Sequence, residues 1–409
     1  MSSPDLNLVP SEPAGGFTAL RGRLAGLGGN ARQYGIFAAL VVIILLFEAT
    51  TQGRLLMPDN VAALFRQNAY VMVLAIGMVM VIIAGHIDLS VGSVVATVGG
   101  VVAVAMREWH FNWLLAVLLA LVVGGAIGAW QGFWVAYIGI PAFIVTLAGM
   151  LIFRGLALVV VGQSIPVTDR TFNGIMANSI PNFAGRVGDA DVVTLAIGAA
   201  LIVLAVVAQV RARMSLRQHN LTVEPAGVFL AKIVVSALGI GVVAVLLSRS
   251  TDGTPYVLVI SAVLIVIYTF VMGRTVFGRH IYAIGGNRQA AKLSGVDTRT
   301  VDFWIFVNIG VLAGMTAVIV TSRLGTALAA AGTGFELDAI AACFIGGAAV
   351  TGGIGRISGA IAGALVMGVL NQGLSIMGVD PSWQQVIKGL VLLLAVAYDL
   401  VNKRRAGTQ

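Results

Sequence analysis

Side chains able to do chemistry are few in this sequence, and two short acidic motifs hold most of them. In the first, Asp88 and Ser90 follow His86 within the run His86–Ser93. The Asp88 carboxylate could cap the helix that follows, because the positive end of a helix dipole favours negative charge. It could also line a polar path, since an ionisable group beside long apolar runs is a candidate for function. Both interpretations stay open at this stage.

The second acidic motif, Ala331–Ile340, places Glu336 and Asp338 at the start of an apolar run. Residues two apart point to different sides of a helix, which argues against a shared metal site. Charge near a helix N-terminus is the simpler interpretation. Neither Ser90 with His86 nor Cys343 has a convincing partner for nucleophilic catalysis. The sequence also has no P-loop pattern, so it predicts no enzyme and no ATP hydrolysis by this chain.

A third feature is a polar, basic stretch at 278–295, set between apolar runs. Asn287 is suited to cap a helix, and Gly295 is suited to the left-handed conformation that ends one. The helix between them, Arg288 to Ser294, is too short to be stable alone in water, so it needs a partner surface. The small apolar contact it offers consists of Ala290, Ala291 and Leu293. The alternative is a solvated loop whose cations only fix membrane topology.

The composition indicates which elements must position these residues. Hydrophobic residues make up 58% of the 409, charged residues only 10%, and the mean hydropathy is +0.98. These values lie far outside the range of soluble domains. Many apolar runs approach the ~20 residues that a membrane-spanning helix needs, and they lack the alternation of barrel strands. The sequence therefore predicts an all-α fold, a polytopic membrane helical bundle, whose 51 glycines permit close helix packing.

Twelve spans are predicted, with ten to twelve as the range. They lie near 34–50, 60–84, 89–106, 113–137, 142–161, 192–210, 226–247, 255–272, 301–321, 337–350, 357–370 and 384–402. Segments 337–350 and 357–370 are shorter than an ordinary span and are separated by a glycine-rich break. We interpret them as possible half-helices, which are tolerated only where protein or a watery cavity covers the backbone and can therefore mark a pathway.

The placement of Lys and Arg predicts the orientation. Starting with the N-terminus inside, the inner segments hold most of these residues, which favours both termini in the cytoplasm. Residues 1–33 form the N-terminal tail, 34–402 the transmembrane domain and 403–409 the C-terminal tail in this interpretation. The net charge of +8 is then an orientation signal and not an indication of nucleic-acid binding.

Five motifs in register resemble the permease subunits of bacterial ABC importers for sugars, the ribose and xylose permeases above all. They are Ile87–Ser93, Phe143–Met150 with Phe153–Gly155, Ile281–Asn287, Leu293–Gly295 and Glu336–Ala342. An additional pair of spans around 192–247 and the run Thr321–Gly325 favour the xylose-type branch. The resemblance covers about residues 34–402 and implies the fold of a type II ABC importer permease. The chain departs from the family at His86, where Gly or Glu is more usual.

The resemblance also implies partners. It predicts a second permease copy, most simply a homodimer, two cytoplasmic ABC ATPase domains that bind ATP and Mg, and a periplasmic sugar-binding protein; this chain would hold no cofactor of its own. Within a cytoplasmic coupling segment at 273–300, the positions that match the ATPase-coupling helix are Asn287, Arg288, Ala290, Ala291, Leu293, Ser294 and Gly295. The family further implies alternating access, in which ATP binding by the partners moves this segment and switches the permease.

A sugar is neutral and rich in hydroxyl groups, so its path needs hydrogen-bonding side chains and no fixed charge pair. The candidates are Asn68, Asp88, Ser90, Asn308 and Asn371. For each amide the alternative is a hydrogen bond between helices, worth about 1 kcal/mol. An ion-coupled secondary sugar transporter is the alternative function, and it would need a titratable residue such as Asp88.

Overall fold

The computed structural model describes residues 28–405, so most of the predicted N-terminal tail and residues 406–409 lie outside the described part. The helices there are α1 (Gly28–Thr50), α2 (Pro58–Ile83), α3 (Val91–Glu108), α4 (Trp113–Phe133), α5 (Ala142–Val161), α6 (Arg170–Ala177), α7 (Val192–Gln218), α8 (Ala226–Ser248), α9 (Tyr256–Arg274), α10 (Val276–Gly286), α11 (Arg288–Leu293), α12 (Thr298–Leu324), α13 (Phe335–Ile345), α14 (Ile357–Ile376) and α15 (Pro381–Arg405). One π-helical turn, Trp134–Ile138, extends α4.

Four very short strands complete the described part: β1 (Ser164–Pro166), β2 (Arg186–Val187), β3 (Ala190–Asp191) and β4 (Thr326–Leu328). β1 pairs with β4 and β2 with β3, both antiparallel. The β1–β4 pair joins the connection after α5 to the connection after α12. The strands therefore tie loops together and do not form a layer of the fold.

Nine helices in the described part are long and apolar enough to cross a membrane: α2, α3, α4 with its π-helical turn, α5, α7, α8, α9, α12 and α14. They confirm nine of the twelve predicted segments. Predicted segment 337–350 is instead the 11-residue helix α13, too short to span. Its predicted companion at 357–370 lies within the 20-residue helix α14, so only one of the two proposed half-helices exists.

Helix α2 forms the centre of the bundle. Its residues from Asn68 to Ile83 are all buried, because α9, α12, α13 and α14 surround it. A helix that is apolar on every side is stable only when other helices cover every side. The polar residues that α2 carries, Asn68 and Tyr70, therefore have to find partners inside the protein.

Helices α4 and α12 approach backbone to backbone. Gly124 and Gly128 on α4 face Gly310 and Gly314 on α12, and a Cβ added to Gly124 would lie 2.3 Å from the carbonyl oxygen of Gly310. Small residues four apart on both helices permit this contact, which is a usual way for helices to associate in lipid. This contact packs α4, most of whose side chains face outward, tightly against α12.

The additional spans predicted around 192–247 form a hairpin at the edge of the bundle. Helices α7 and α8 pack mainly against each other, joined by a hydrogen bond of 2.9 Å from Gln209 Nε2 to Ser236 Oγ. Most of their side chains face outward. This hairpin is therefore peripheral to the polar clusters described below.

Residues 84–90, here called the re-entrant segment, turn back into the bundle between α2 and α3. Gln131 donates a hydrogen bond to Ser90 and lies seven residues before Ile138, the end of the π-helical turn. At about 1.5 Å per helical residue, Ser90 lies roughly 10 Å inside that end of the bundle. Irregular backbone at such depth requires cover by protein, and both Asp88 and Ser90 are buried.

Candidate functional site: the coupling helix and the buried polar clusters

The predicted short helix of the coupling segment is present as α11. Asn287 Oδ1 accepts a hydrogen bond of 3.0 Å from the Ala290 N–H, which confirms the predicted N-cap. Gly295 has a φ of +87° and donates its N–H to the Lys292 carbonyl, which confirms the predicted end. The helix has only six residues. Its geometry is therefore fixed at both ends by caps, because six residues alone do not hold a helix in water.

Most of the predicted coupling residues are exposed. Asn287, Arg288, Ala290, Ser294 and Gly295 are exposed, and Leu293 is 90% exposed. Ala291 differs, since it is buried against the rest of the chain. The predicted apolar contact of Ala290, Ala291 and Leu293 is therefore divided: Ala291 anchors α11 to the bundle, while Leu293 is presented outward.

Immediately after this helix, Asp297 starts α12. Its carboxylate accepts hydrogen bonds from Thr300 Oγ1 at 2.6 Å and from the N–H groups of Thr300 and Arg299. These bonds, that from the Thr300 hydroxyl foremost, lower the pKa of Asp297 below its usual value. A carboxylate at this end also complements the helix dipole. Asp297 therefore fixes the junction between the coupling segment and a long central helix.

The side chain of Arg288 is partly exposed, and its guanidinium group reaches into the bundle. Its Nη1 and Nη2 atoms lie 2.5 and 3.2 Å from the two carboxylate oxygens of Asp302, which is 4% exposed. His86 joins this pair: its Nε2 lies 3.2 Å from Asp302 Oδ1 and 3.0 Å from Arg288 Nη2. A fork-to-fork Arg–carboxylate pair of this kind is strong and directional. We call these three residues the inner-face triad, after the cytoplasmic side on which the sequence predicts α11 to lie.

Asp88 and Ser90 form a second cluster. Asp88 Oδ1 accepts from the Ser90 N–H at 2.8 Å and from its hydroxyl at 2.7 Å. Gln131 Nε2 donates to Ser90 Oγ at 2.6 Å, and Thr146 donates to the Ile87 carbonyl at 3.2 Å. The expectation that Asp88 caps α3 is wrong in detail, because the residue that precedes α3 is Ser90 and the carboxylate closes the turn before it.

Asn68 and Asn371 meet in a third cluster, between α2 and α14. Asn371 Nδ2 donates to Asn68 Oδ1 at 3.1 Å and lies 3.5 Å from the Tyr70 hydroxyl. The Asn371 Oδ1 atom is buried and has no hydrogen-bond partner in the described part of the chain. An amide with one satisfied and one unsatisfied end has acceptor capacity left for a hydroxyl group.

The same cluster extends to the second acidic motif. The Tyr70 hydroxyl donates to Asp338 Oδ2 at 2.5 Å, and Lys388 Nζ lies 3.2 Å from the same oxygen. The ring of Phe335 stacks on that of Tyr70 with centroids 3.7 Å apart. The charge of Lys388 is therefore paired with Asp338 inside the bundle.

Asn308 lies apart from both clusters. Its Oδ1 accepts from the Tyr268 hydroxyl at 2.5 Å and its Nδ2 lies 3.5 Å from Met80 Sδ. These contacts join α12 to α9 and α2, which is the helix-to-helix bond considered from the sequence. The five candidate path residues therefore separate into one Asn68–Asn371 pair, one Asp88–Ser90 pair and a single bridging amide.

Sequence reasoning missed Asp302, Tyr70 and Gln131 as members of these clusters. Each is a polar residue inside an apolar helix, and that is a usable signal, because such residues are seldom left without a partner. The partner itself depends on tertiary packing. In the described residues no group of three or more His, Cys, Asp or Glu side chains could hold a metal ion.

The described part of the chain is therefore a bundle of membrane-length helices, with polar groups gathered in buried clusters and a short, exposed basic helix. Residues 60–396 match the family described as branched-chain amino acid transport system / permease component. The chain belongs to this family of permease components, and it is a multi-pass membrane protein and not an enzyme. The predicted resemblance, fold class and type of function are thereby confirmed.

Comparison with individual proteins is more specific than the family match. The chain is 38% identical to the xylose transport system permease protein of Escherichia coli (strain K12) over 406 residues, 99% of each chain. The corresponding protein of Haemophilus influenzae is 38% identical over 92% of this chain and 98% of its own. The ribose import permease protein of Escherichia coli (strain K12) is 32% identical over 91% and 94%. No solved structure matches the chain. These comparisons give no support to the ion-coupled alternative.

Proposed function

We propose that this chain is the membrane permease of an ATP-driven importer that carries a monosaccharide, xylose or a similar pentose, across a bacterial inner membrane. The observation that carries the proposal is the similarity to xylose transport system permeases over nearly the whole of both chains. The ribose import permease is less similar over a smaller share, which favours the xylose type. The family description mentions branched-chain amino acids, so the choice of a sugar rests on the individual relatives.

The motor in this proposal belongs to other chains. Two cytoplasmic ATPase domains bind ATP and Mg and dock on the coupling segment, and a periplasmic sugar-binding protein delivers the substrate. A second copy of the permease completes the membrane unit, most simply as a homodimer. Both termini then face the cytoplasm. Support for docking at α11 comes from Leu293, since a leucine exposed to 90% on a capped basic helix is suited to fill an apolar pocket of a partner.

For the substrate path, the Asn68–Asn371 pair is the better supported part of the proposal. It lies deep in the bundle beside an aromatic stack, and Asn371 retains an unsatisfied acceptor for a sugar hydroxyl. Asp88 and Ser90 contribute by shaping the re-entrant segment, since their polar atoms bond to each other and to Gln131. Asn308 contributes least, because its amide joins helices.

The docking assignment is tested with Leu293→Glu. The variant is expected to lose co-purification with the ATPase subunit and to lose xylose uptake by at least about tenfold, since a charge replaces the apolar anchor. The matched control is Leu221→Glu, which changes another exposed leucine in the short connection between α7 and α8. Retained uptake and retained ATPase binding in the Leu293 variant would contradict docking at α11.

A further inference from the structure

The inner-face triad joins three separate elements of the chain. Arg288 belongs to the exposed helix α11, Asp302 to the first turns of the central helix α12, and His86 to the re-entrant segment. Only Arg288 is substantially exposed, at 43% of its side chain, whereas Asp302 is nearly inaccessible. A force applied to α11 from outside therefore reaches α12 through Asp302 as well as through the chain, and it reaches the re-entrant segment through the contact of Arg288 with His86.

His86 makes the link to the re-entrant segment specific. A neutral imidazole nitrogen either donates or accepts a hydrogen bond, and it cannot donate to Asp302 and accept from Arg288 at once. The same Nε2 atom is nevertheless within reach of both groups, at 3.2 and 3.0 Å. The two contacts therefore belong to different tautomers of His86, and exchanging one for the other takes a displacement of Arg288 together with transfer of the ring proton between Nε2 and Nδ1.

From His86 the chain leads directly to the buried Asp88–Ser90 cluster. The two residues from His86 to Asp88 span at most about 7 Å when extended, so His86 and the buried cluster stay close to each other in any conformation of the segment. Gly85 is flanked by Gly352, and the Ile83 carbonyl accepts from the Gly353 N–H at 2.8 Å. The His86 N–H also donates to the Val81 carbonyl at 2.9 Å, so the end of α2 holds one side of the segment, while the bond between Ser90 and Gln131 holds the other.

Space for such a movement exists beside the triad. A cavity of about 460 Å³ is lined by all three triad residues, by Gly85 and Pro141, and by Arg299 at the start of α12. Close-packed interiors resist displacement because each shift meets a neighbour. Here Arg288 and His86 border open volume, so they can change position without compressing the bundle.

We propose that the inner-face triad transmits the movement of α11 to the re-entrant segment, so that Arg288, Asp302 and His86 are positioning residues for transport and do not contact the sugar. The inference rests on the proposed function, since it takes α11 to be the helix on which the ATPase acts. It assigns the triad a role separate from docking: docking holds the ATPase in place, and the triad converts its motion into opening of the path.

The test uses the complete complex of permease, ATPase and binding protein in proteoliposomes, with His86→Ala and Asp302→Asn. Three quantities are measured: retention of the ATPase on co-purification, ATP hydrolysed, and xylose transported. We expect the ATPase to be retained and the ATP hydrolysed per xylose transported to rise about tenfold, within the ordinary range of coupling between sites. Arg217→Ala is the matched control, because it removes an exposed cation from the last turn of α7, outside both the triad and the coupling segment.

The possible results distinguish a failure of the triad's role from a failure of the proposed function. A normal ratio of ATP to xylose in both variants overturns the triad's role, and so does an uptake loss that merely follows the loss of assembled complex. Arg288→Lys covers the case of a variant that does not assemble: it keeps the charge but not the two-pronged contact, and it is expected to raise the ratio by a smaller factor. If the unaltered complex imports no xylose with ATP, the proposed function fails, and the inference with it.

Discussion

Gly92 and Gly332 meet backbone to backbone at the point where the re-entrant segment passes into α3. A Cβ added to Gly92 would lie 2.1 Å from the Gly332 carbonyl oxygen, and a Cβ added to Gly332 would lie 2.1 Å from that of Gly92. The contact brings the start of α3 next to the turn that precedes α13. The start of α3 and the turn before α13 can therefore pack this closely only because neither glycine carries a side chain.

Gly92→Ala is accordingly expected to destabilise the purified protein by about 1–3 kcal/mol, the usual cost of forcing atoms into a packed site. The matched control is Gly239→Ala in the middle of α8, where nothing lies within 4 Å of the added Cβ. That change is expected to be neutral or stabilising by up to about 1 kcal/mol. Thermal unfolding in detergent measures both, and equal effects at the two sites would contradict the contact.

Lys388→Met should destabilise the protein by roughly 3 kcal/mol, because it leaves the buried Asp338 carboxylate without its cation. The double variant Lys388→Met with Asp338→Asn should recover part of that loss, since neither charge then remains. A double-mutant cycle on thermal stability measures the coupling. Additive losses in the two single variants would show that the pair contributes nothing.

Asn371→Ala is expected to raise the KM for xylose or reduce its uptake by about tenfold, because it removes a free acceptor from the proposed path. Asn308→Ala serves as the matched control: it should cost only about 1 kcal/mol of stability, the value of a hydrogen bond between helices, with little change in KM. Uptake kinetics in whole cells, normalised to protein in the membrane, give both values. Similar kinetics for the two variants would remove Asn371 from the path.

The contribution of Asp297 to the stability of the folded protein depends on pH in a definite direction. Its pKa is lowered in the folded protein, chiefly by the Thr300 hydroxyl, so its stabilising effect is fully present above the unfolded carboxyl pKa of about 3.9. That effect is lost as pH falls through the lower folded pKa. The stability difference between the unaltered protein and Asp297→Asn should thus be constant above about pH 5 and shrink below it. A difference that grew on acidification would contradict the assigned hydrogen bonds.

Much of the coupling segment is predictable from local sequence. The Asn287 cap depends on Ala290, and the Gly295 end depends on Lys292. Each partner is three positions away in the sequence, and both features are found as expected. Of the twelve spans that the apolar runs predict, nine are found as long apolar helices in the described residues, because hydrophobic length is a local property.

The partners of buried polar side chains are not predictable in this way. Arg288 and Asp302 are 14 residues apart and His86 is 202 residues from Arg288, so their meeting depends on how the helices pack. Lys388 and Asp338 are a similar case. The length of α14 was underestimated for a different reason: polar Asn371 and Gln372 interrupt an apolar run that the helix nevertheless continues through.

Xylose accumulation in proteoliposomes tests the central claim, that this chain is a conduit driven by separate ATPase subunits. With ATPase, binding protein and Mg-ATP supplied, we expect uptake against the xylose gradient that persists in the presence of a protonophore. With the permease alone and an imposed proton or sodium gradient, we expect no accumulation. Uphill accumulation of xylose by the permease alone would contradict the account.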